Sequence, residues 1–329
     1  MYPKSSILLF LILVALPVAG FSHEDEAKAH AEGHEVNHSH EVSSEKFTCP
    51  MHPEVTSEVA GNCPKCGMTM KMKESAGHDH SAAGKIAEPT IKATVSLQAP
   101  LEVRKEANVL LHLAKPDGSP VTLDDLAEAH TKKIHLLIND TSLIDYHHEH
   151  PVPTQIPGEY RFSFTPQKPG AYRVWADLKP VATGVQEYSI TDIAAETKSE
   201  PLADLEPRTI EMVEGLKYEI TFDEKSLTVG EAAMGKLSIT TADGKPYDQL
   251  EPLMAAYAHI VVFADDFHTI VHIHPMGPEP TMDTDRGTGS LNFHIQPTQA
   301  GMMRLYAQVQ IGGVSKYARL TFHVGEAKK

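Results

Sequence analysis

The chain has 329 residues, with 29 Lys and Arg against 44 Asp and Glu, so its formal charge is −15. That acidic balance argues against a nucleic-acid partner, which needs a basic surface, and favours cations instead. Only three Cys are present, all within residues 49–66, which excludes a disulfide framework; beside 20 His, metal ligation is the better use for them.

Lys4, the apolar run Ile7 to Val14 and the small-residue stretch Ala15 to Ser22 follow the order of a secretory signal peptide. The run is shorter than the roughly 20 residues a membrane span needs. Residues 1–22 are therefore expected to be removed, with cleavage between Ala19 and Ser22. The mature protein is then periplasmic or secreted, not integral to a membrane, and one positive charge poorer. Residues 23–46 are polar and acidic, carry His23, His30, His34, His38 and His40, and lack apolar periodicity. They read as a disordered tail, either a weak metal sponge or a solvated spacer. With cleavage after Ser22, His23 would become the N-terminus and could chelate Cu(II) through its amine and ring.

Residues 47–72 form a compact cysteine module. Cys49-x-x-His52 and, ten residues on, Cys63-x-x-Cys66 place two ligand pairs on two turns, the spacing of a four-coordinate site. Pro50, Pro53 and Pro64 stiffen those turns and Gly67 permits the backbone that follows a ligating knuckle. A segment of about 25 residues buries too little apolar surface to fold unaided, and metal would supply the missing stability. Met51, Met68, Met70 and Met72 lie close by; thioether and thiolate sulfur suit Cu(I) or Ag(I), while a Cys3His set equally accepts structural Zn(II). A Cys63–Cys66 disulfide is the remaining reading.

The run Phe47-Thr48-Cys49-Pro50-Met51-His52-Pro53-Glu54-Val55, continued by Gly61-Asn62-Cys63-Pro64-Lys65-Cys66-Gly67-Met68, resembles the heavy-metal-binding domain near the N-termini of some copper-transporting ATPases and of copper or silver efflux adaptors. The resemblance implies a soft or heavy metal, with Cys49, His52, Cys63 and Cys66 as its ligands.

A polar linker, residues 73–89 with His78 and His80, leads to two tandem β-sandwich domains of immunoglobulin-like type, residues 90–192 and 209–326, joined by residues 193–208. Alternating Ile91, Ala93, Val95 and Leu97, then Val109–Leu113 running into Pro116-Asp117-Gly118, have the pattern of half-buried strands meeting a turn. Further strands are expected at Ile134–Asn139, Tyr160–Phe164, Tyr172–Ala176 and Val185–Ile190, with one helical turn in Thr122–Ala129. The layout recurs: Asp117-Gly118-Ser119-Pro120 corresponds to Asp243-Gly244-Lys245-Pro246, and Phe162-x-Phe164-x-Pro166 to Phe293-x-Ile295-x-Pro297. Trp175 and Tyr306 occupy matching strand positions and are expected in the core. His294 is expected to face away from it.

His135 with His148-x-His150-Pro151 corresponds to His259 with His272-x-His274-Pro275. An antiparallel hairpin over Ile134–Pro151 sets His135 opposite His150 and leaves His148 on the same face; copy 2 places His259, His272 and His274 likewise. A one-residue slip would scatter both sets. Three neutral imidazoles suit Cu(II), Zn(II) or Ni(II); strand capping by the His-x-His-Pro segment is the plainer alternative. Copy 2 is also similar to a group of secreted β-sandwich proteins ending a hairpin in Asp-x-x-x-x-x-His-x-His-Pro, which implies an extracytoplasmic sandwich; copy 1 departs from it, reading Tyr146-His147-His148-Glu149-His150.

The function expected is metal sequestration, delivery or tolerance outside the cytoplasm, with copper favoured and zinc or silver as alternatives. An accessory role beside an efflux pump or transporter is the second reading, although no long heptad segment for an adaptor's coiled coil is present. An enzyme is not expected: Cys63-x-x-Cys66 does not open a helix in a βαβ unit, as a thiol oxidoreductase requires, and no Cys-His-Met copper-oxidase cluster appears.

Overall fold

The computed structural model describes residues 47–48, 55–59, 61, 64, 70–72, 88–273 and 275–327. The protein is mainly β. In the module, Phe47–Thr48 (β1), Thr56–Ser57 (β2) and Lys71–Met72 (β3) form a small sheet with β1 in the middle. Copy 1 holds Lys92–Leu97 (β4), Ala107–Ala114 (β5), Ile134–Asp140 (β6), Tyr146–Glu149 (β7), Val152–Pro153 (β8), Glu159–Phe164 (β9), Tyr172–Leu178 (β10) and Glu187–Ile193 (β11). Copy 2 holds Ile210–Val213 (β12), Leu216–Phe222 (β13), Leu227–Thr228 (β14), Ala233–Thr240 (β15), His259–Ala264 (β16), Ile270–Ile273 (β17), Ser290–Ile295 (β18), Gly301–Ile311 (β19) and Val314–Gly325 (β20).

Each copy is a pair of four- or five-stranded sheets. In copy 1 the orders are β4-β5-β9-β8 and β11-β10-β6-β7; in copy 2 they are β12-β13-β15-β18 and β14-β20-β19-β16-β17. The outer sheet of each copy alternates as a half-buried strand should: Val109, Leu111 and Leu113 of β5 point inward while their neighbours face out. They pack on Leu136, Ile138, Val174 and Ala176 from the other sheet, and Leu237, Ile239 and Phe293 pack on Ile260, Val262 and Leu305 in copy 2. Each of these Val, Leu, Ile and Phe side chains contributes about 1.5–3 kcal/mol by leaving water.

The repeated Asp-Gly-x-Pro turns close the same hairpin edge in both copies. Gly118 and Gly244 have φ of 83° and 80°, where a Cβ would be strained, and their amides donate to Lys115 O and Thr241 O at 2.9 Å. The helical turn expected in Thr122–Ala129 is a three-residue 3-10 helix, Leu123–Asp125, with Thr122 N and Oγ1 donating to the Asp125 carboxylate. No helix among the described residues is long and apolar enough to cross a membrane.

The inner sheets break the alternation. All seven residues of β6 and all six of β16 are buried, so both faces of these strands are covered. One face lines each sandwich core. The other forms a third apolar cluster in which Leu137, Tyr146 and Trp175 of copy 1 meet Val261, Phe263, Ile270 and Tyr306 of copy 2. Trp175 and Tyr306, expected in the core of each sandwich, are buried instead in this seam between the copies. Trp175 Nε1 donates to His268 O of copy 2 at 3.0 Å, and the Tyr306 hydroxyl donates to Leu143 O of copy 1 at 2.8 Å. Matching positions thus make matching bonds in opposite directions, as in a two-fold interface between identical subunits.

Candidate metal centre

His135 stands on β6 and His148 on β7, strands paired in the register Leu136↔Glu149 and Leu137↔His148. That register, the one expected from the sequence, carries His150 just past the end of β7 to a place opposite His135. Period-two alternation then gathers three imidazoles on one face. His135 Nδ1 lies 3.1 Å from His148 Nε2 and 3.1 Å from His150 Nε2, and one nitrogen from each ring falls within 4.8 Å of the others. Two nitrogens held at about 2.05 Å on one tetrahedral ion stand about 3.3 Å apart, so the spacing suits a shared cation.

The outer nitrogens are tied to acceptors. His135 Nε2 faces Ala129 O at 2.8 Å, a carbonyl that only accepts, so this nitrogen carries the hydrogen. His148 Nδ1 faces Gln308 Oε1 at 2.9 Å. The Gln308 amide is oriented from behind, because its Nε2 donates to Ser315 Oγ, which in turn donates to Gln310 Oε1. In the neutral rings, His135 Nδ1 and His148 Nε2 then point lone pairs at one another, an arrangement that a hydrogen bond does not explain and a metal ion does. The rings are kept neutral by their surroundings. Burial pushes His148 well below the usual imidazole range and takes His150 down to about 3; it also lowers His135, against the opposing pull of Asp177.

Copy 2 repeats the contacts. Val261 pairs with His272 between β16 and β17, and His259 Nδ1 lies 3.0 Å from His272 Nε2. His259 Nε2 is 3.4 Å from Met254 O, and burial holds its pKa well down. His272 Nδ1 lies 3.0 Å from the Asp177 carboxylate, with both side chains almost fully buried. His274 lies outside the described residues.

Two orienting groups escaped the sequence reading. Asp177 of β10 and Gln308 of β19 occupy equivalent positions, each paired across strands with the first histidine of its own copy: Asp177↔His135 and His259↔Gln308. Each reaches over the seam to the second histidine of the other copy. A third escaped residue is His130, on the two-residue turn between the bridged Ala129 and Lys132. Its ring centroid lies 5.3 Å from His272, 5.7 Å from His259 and 6.1 Å from His135. His130 and Thr131 have φ of 51° and 67°, the left-handed backbone that a two-residue hairpin turn demands and that Asn-Gly fills with least strain. His135 and His259 rings stack at 6.5 Å, and His148 and His259 centroids are 5.8 Å apart, so the two sets share one cluster.

In the module, Cys49, His52, Cys63, Cys66, Met51 and Met68 lie outside the described residues. The described part has β1 pairing with both β2 and β3, and Met70 buried with its amide donating to Gly61 O at 2.7 Å.

The heavy metal binding domain model matches residues 46–73, and the model of a domain of unknown function (DUF8832) matches residues 89–195 and again 211–326. The first segment is 64% identical over 25 residues to a copper-transporting P-type ATPase of Rhizobium leguminosarum bv. viciae, a match covering 8% of this chain and 3% of the ATPase. Among solved structures, InvD of Yersinia pseudotuberculosis has a TM-score of 0.22 at 10% identity, covering 72% of this chain and 58% of that one. The alpha-2-macroglobulin of Escherichia coli activated by porcine elastase has 0.22 at 13%, covering 72% and 20%. Nothing about the site follows from scores so low. The DUF8832 model accounts for more than half of the sequence, in two copies behind a heavy metal binding domain, and the chain belongs to that family.

Proposed function

We propose that the protein binds a soft heavy metal, copper foremost, outside the cytoplasm, and sequesters it or passes it on as part of metal tolerance. The observation that carries this reading is the heavy metal binding domain at residues 46–73, within which Cys49, His52, Cys63 and Cys66 have the sequence spacing of a four-coordinate site. Three thiolates and a nearby pair of thioethers, Met51 and Met68, favour Cu(I); silver is its chemical neighbour and zinc the borderline alternative. Export is supported by the apolar run behind Lys4, and a role in binding rather than catalysis by the ligand set itself. The similarity to a copper-transporting ATPase supports the second reading, delivery of the metal to a transporter or efflux pump.

The test is a Cu(I) competition titration of the reduced full chain beside a Cys63→Ser/Cys66→Ser variant. One tightly held Cu(I) per chain, lost in the variant, is expected. Uptake of Zn(II) without Cu(I) would make the module a structural zinc knuckle, and a Cys63–Cys66 disulfide cycling with a redox partner would replace binding by thiol chemistry.

A further inference from the structure

We propose that the seam between the two sandwiches is a second metal centre, shared by both copies, in which His135, His148 and His150 hold a borderline divalent ion, Cu(II) or Zn(II), oriented by Gln308 from the other copy and walled by His259, His272 and His130. The centre is independent of the cysteine module: it takes a different class of ion and uses none of the module's residues.

The first support is convergence. Three ring nitrogens from two paired strands and the segment after them meet within 4.8 Å of one another, with His135 and His148 only 1% and 6% exposed. Buried imidazoles brought this close without a cation leave acceptor facing acceptor across 3.1 Å. The second is the hydrogen-bond shell. A ligating histidine donates its other ring N–H to a carbonyl or carboxylate, which fixes the tautomer and aims the lone pair. Ala129 O does this for His135, Gln308 for His148 and Asp177 for His272. The third is the crossing of that shell. Gln308 sits in copy 2 and serves His148 of copy 1, Asp177 sits in copy 1 and serves His272 of copy 2, and the centre is not complete within one sandwich. Neutral imidazoles favour Cu(II) or Zn(II) over a thiolate-seeking ion. Access is from the rim: His150 borders a surface cleft of about 420 Å³ together with Glu149 and Arg161.

The experiment uses the full chain with Cys49→Ser, Cys63→Ser and Cys66→Ser, so that the module contributes nothing, and Cu(II) as the probe. Binding is read by competition titration and by the nitrogen hyperfine pattern in electron paramagnetic resonance. A tight site coordinated by several nitrogens is expected. His150→Ala, at the half-buried rim, should weaken it at least about 10-fold, Gln308→Leu by about 10–100-fold, and Gln308→Glu, which keeps the acceptor, should restore it. His112→Ala, a half-exposed histidine on β5, should leave it unchanged. Thermal unfolding in chelator shows whether each variant is folded. Affinity unmoved by His150→Ala would overturn the centre and place Cu(II) on other histidines of the chain; affinity lost with His150→Ala but unmoved by Gln308→Leu would overturn the sharing between copies. Either failure leaves the reading of the cysteine module standing.

Discussion

In copy 1 the second histidine of the pair, His148, leans on the amide of Gln308, whereas in copy 2 its counterpart His272 leans on the carboxylate of Asp177. The geometry is the same and the charge is not. A neutral orienter fixes the tautomer of His148 and adds little else. An anionic one also makes the two groups dependent on each other, since a carboxylate that is 3% exposed needs its partners. Duplication therefore kept the histidines and diversified what holds them, so the two halves of the cluster should respond differently to the same change.

The largest expected difference follows from that charge. His272→Ala removes a partner of Asp177, which retains the Gln186 amide at 2.7 and 2.8 Å, and should cost about 3–5 kcal/mol in urea unfolding with chelator present. His148→Ala leaves only the Gln308 carbonyl oxygen short of a donor and should cost about 1–3 kcal/mol. Equal costs would mean that the charge of Asp177 is met from elsewhere.

A smaller contrast lies at the paired glycines that open the strands carrying Trp175 and Tyr306. Gly170 and Gly301 have φ of 98° and 117°, so alanine is strained at either. At Gly170 the new Cβ would also run into the backbone of Ser199, while at Gly301 it meets the Asp265 carboxylate at 2.8 Å, a side chain able to move. Both substitutions should destabilise by about 1–3 kcal/mol, with Gly170→Ala the worse in calorimetric melting. The reverse order would mean that Asp265 is the more rigid neighbour.

The smallest effect has the opposite sign. Thr131, β-branched and exposed at φ 67°, sits where copy 2 has Ala255 at φ 63°. Thr131→Gly should stabilise the metal-free protein by about 1 kcal/mol, and Ala255→Gly by less, because threonine resists this backbone more than alanine does. A loss of stability in Thr131→Gly would show that its side chain, not its backbone, matters to the turn.

Much of this architecture is legible in the sequence because strands announce themselves by alternation. Val109, Leu111 and Leu113 alternate as read, and the spacing of His135, His148 and His150 was enough to fix the hairpin register. The repeat was legible for the same reason. The seam was not, since it depends on which two sheets turn toward each other. Its one signal was the near-unbroken apolar run in His259-Ile260-Val261-Val262-Phe263-Ala264, which marks a strand covered on both faces. The burial of Trp175 and Tyr306 is evident from their residue type, while the layer that buries them is not. Asp177 and Gln308 differ chemically, so the repeat does not mark them, and His130 is matched in copy 2 by a methionine on the equivalent turn, Met254.

The most direct test of two independent metal sites is a loading experiment on the full chain, with Cu(I) under reducing conditions and then Zn(II) added to the Cu(I)-loaded protein. With Cu(I) supplied first to fill the module, Zn(II) uptake should add to it, Cys63→Ser/Cys66→Ser should abolish the Cu(I) share, and His150→Ala should diminish only the Zn(II) taken up beside Cu(I). Uptakes that compete for one site, or that neither variant changes, would contradict two independent sites.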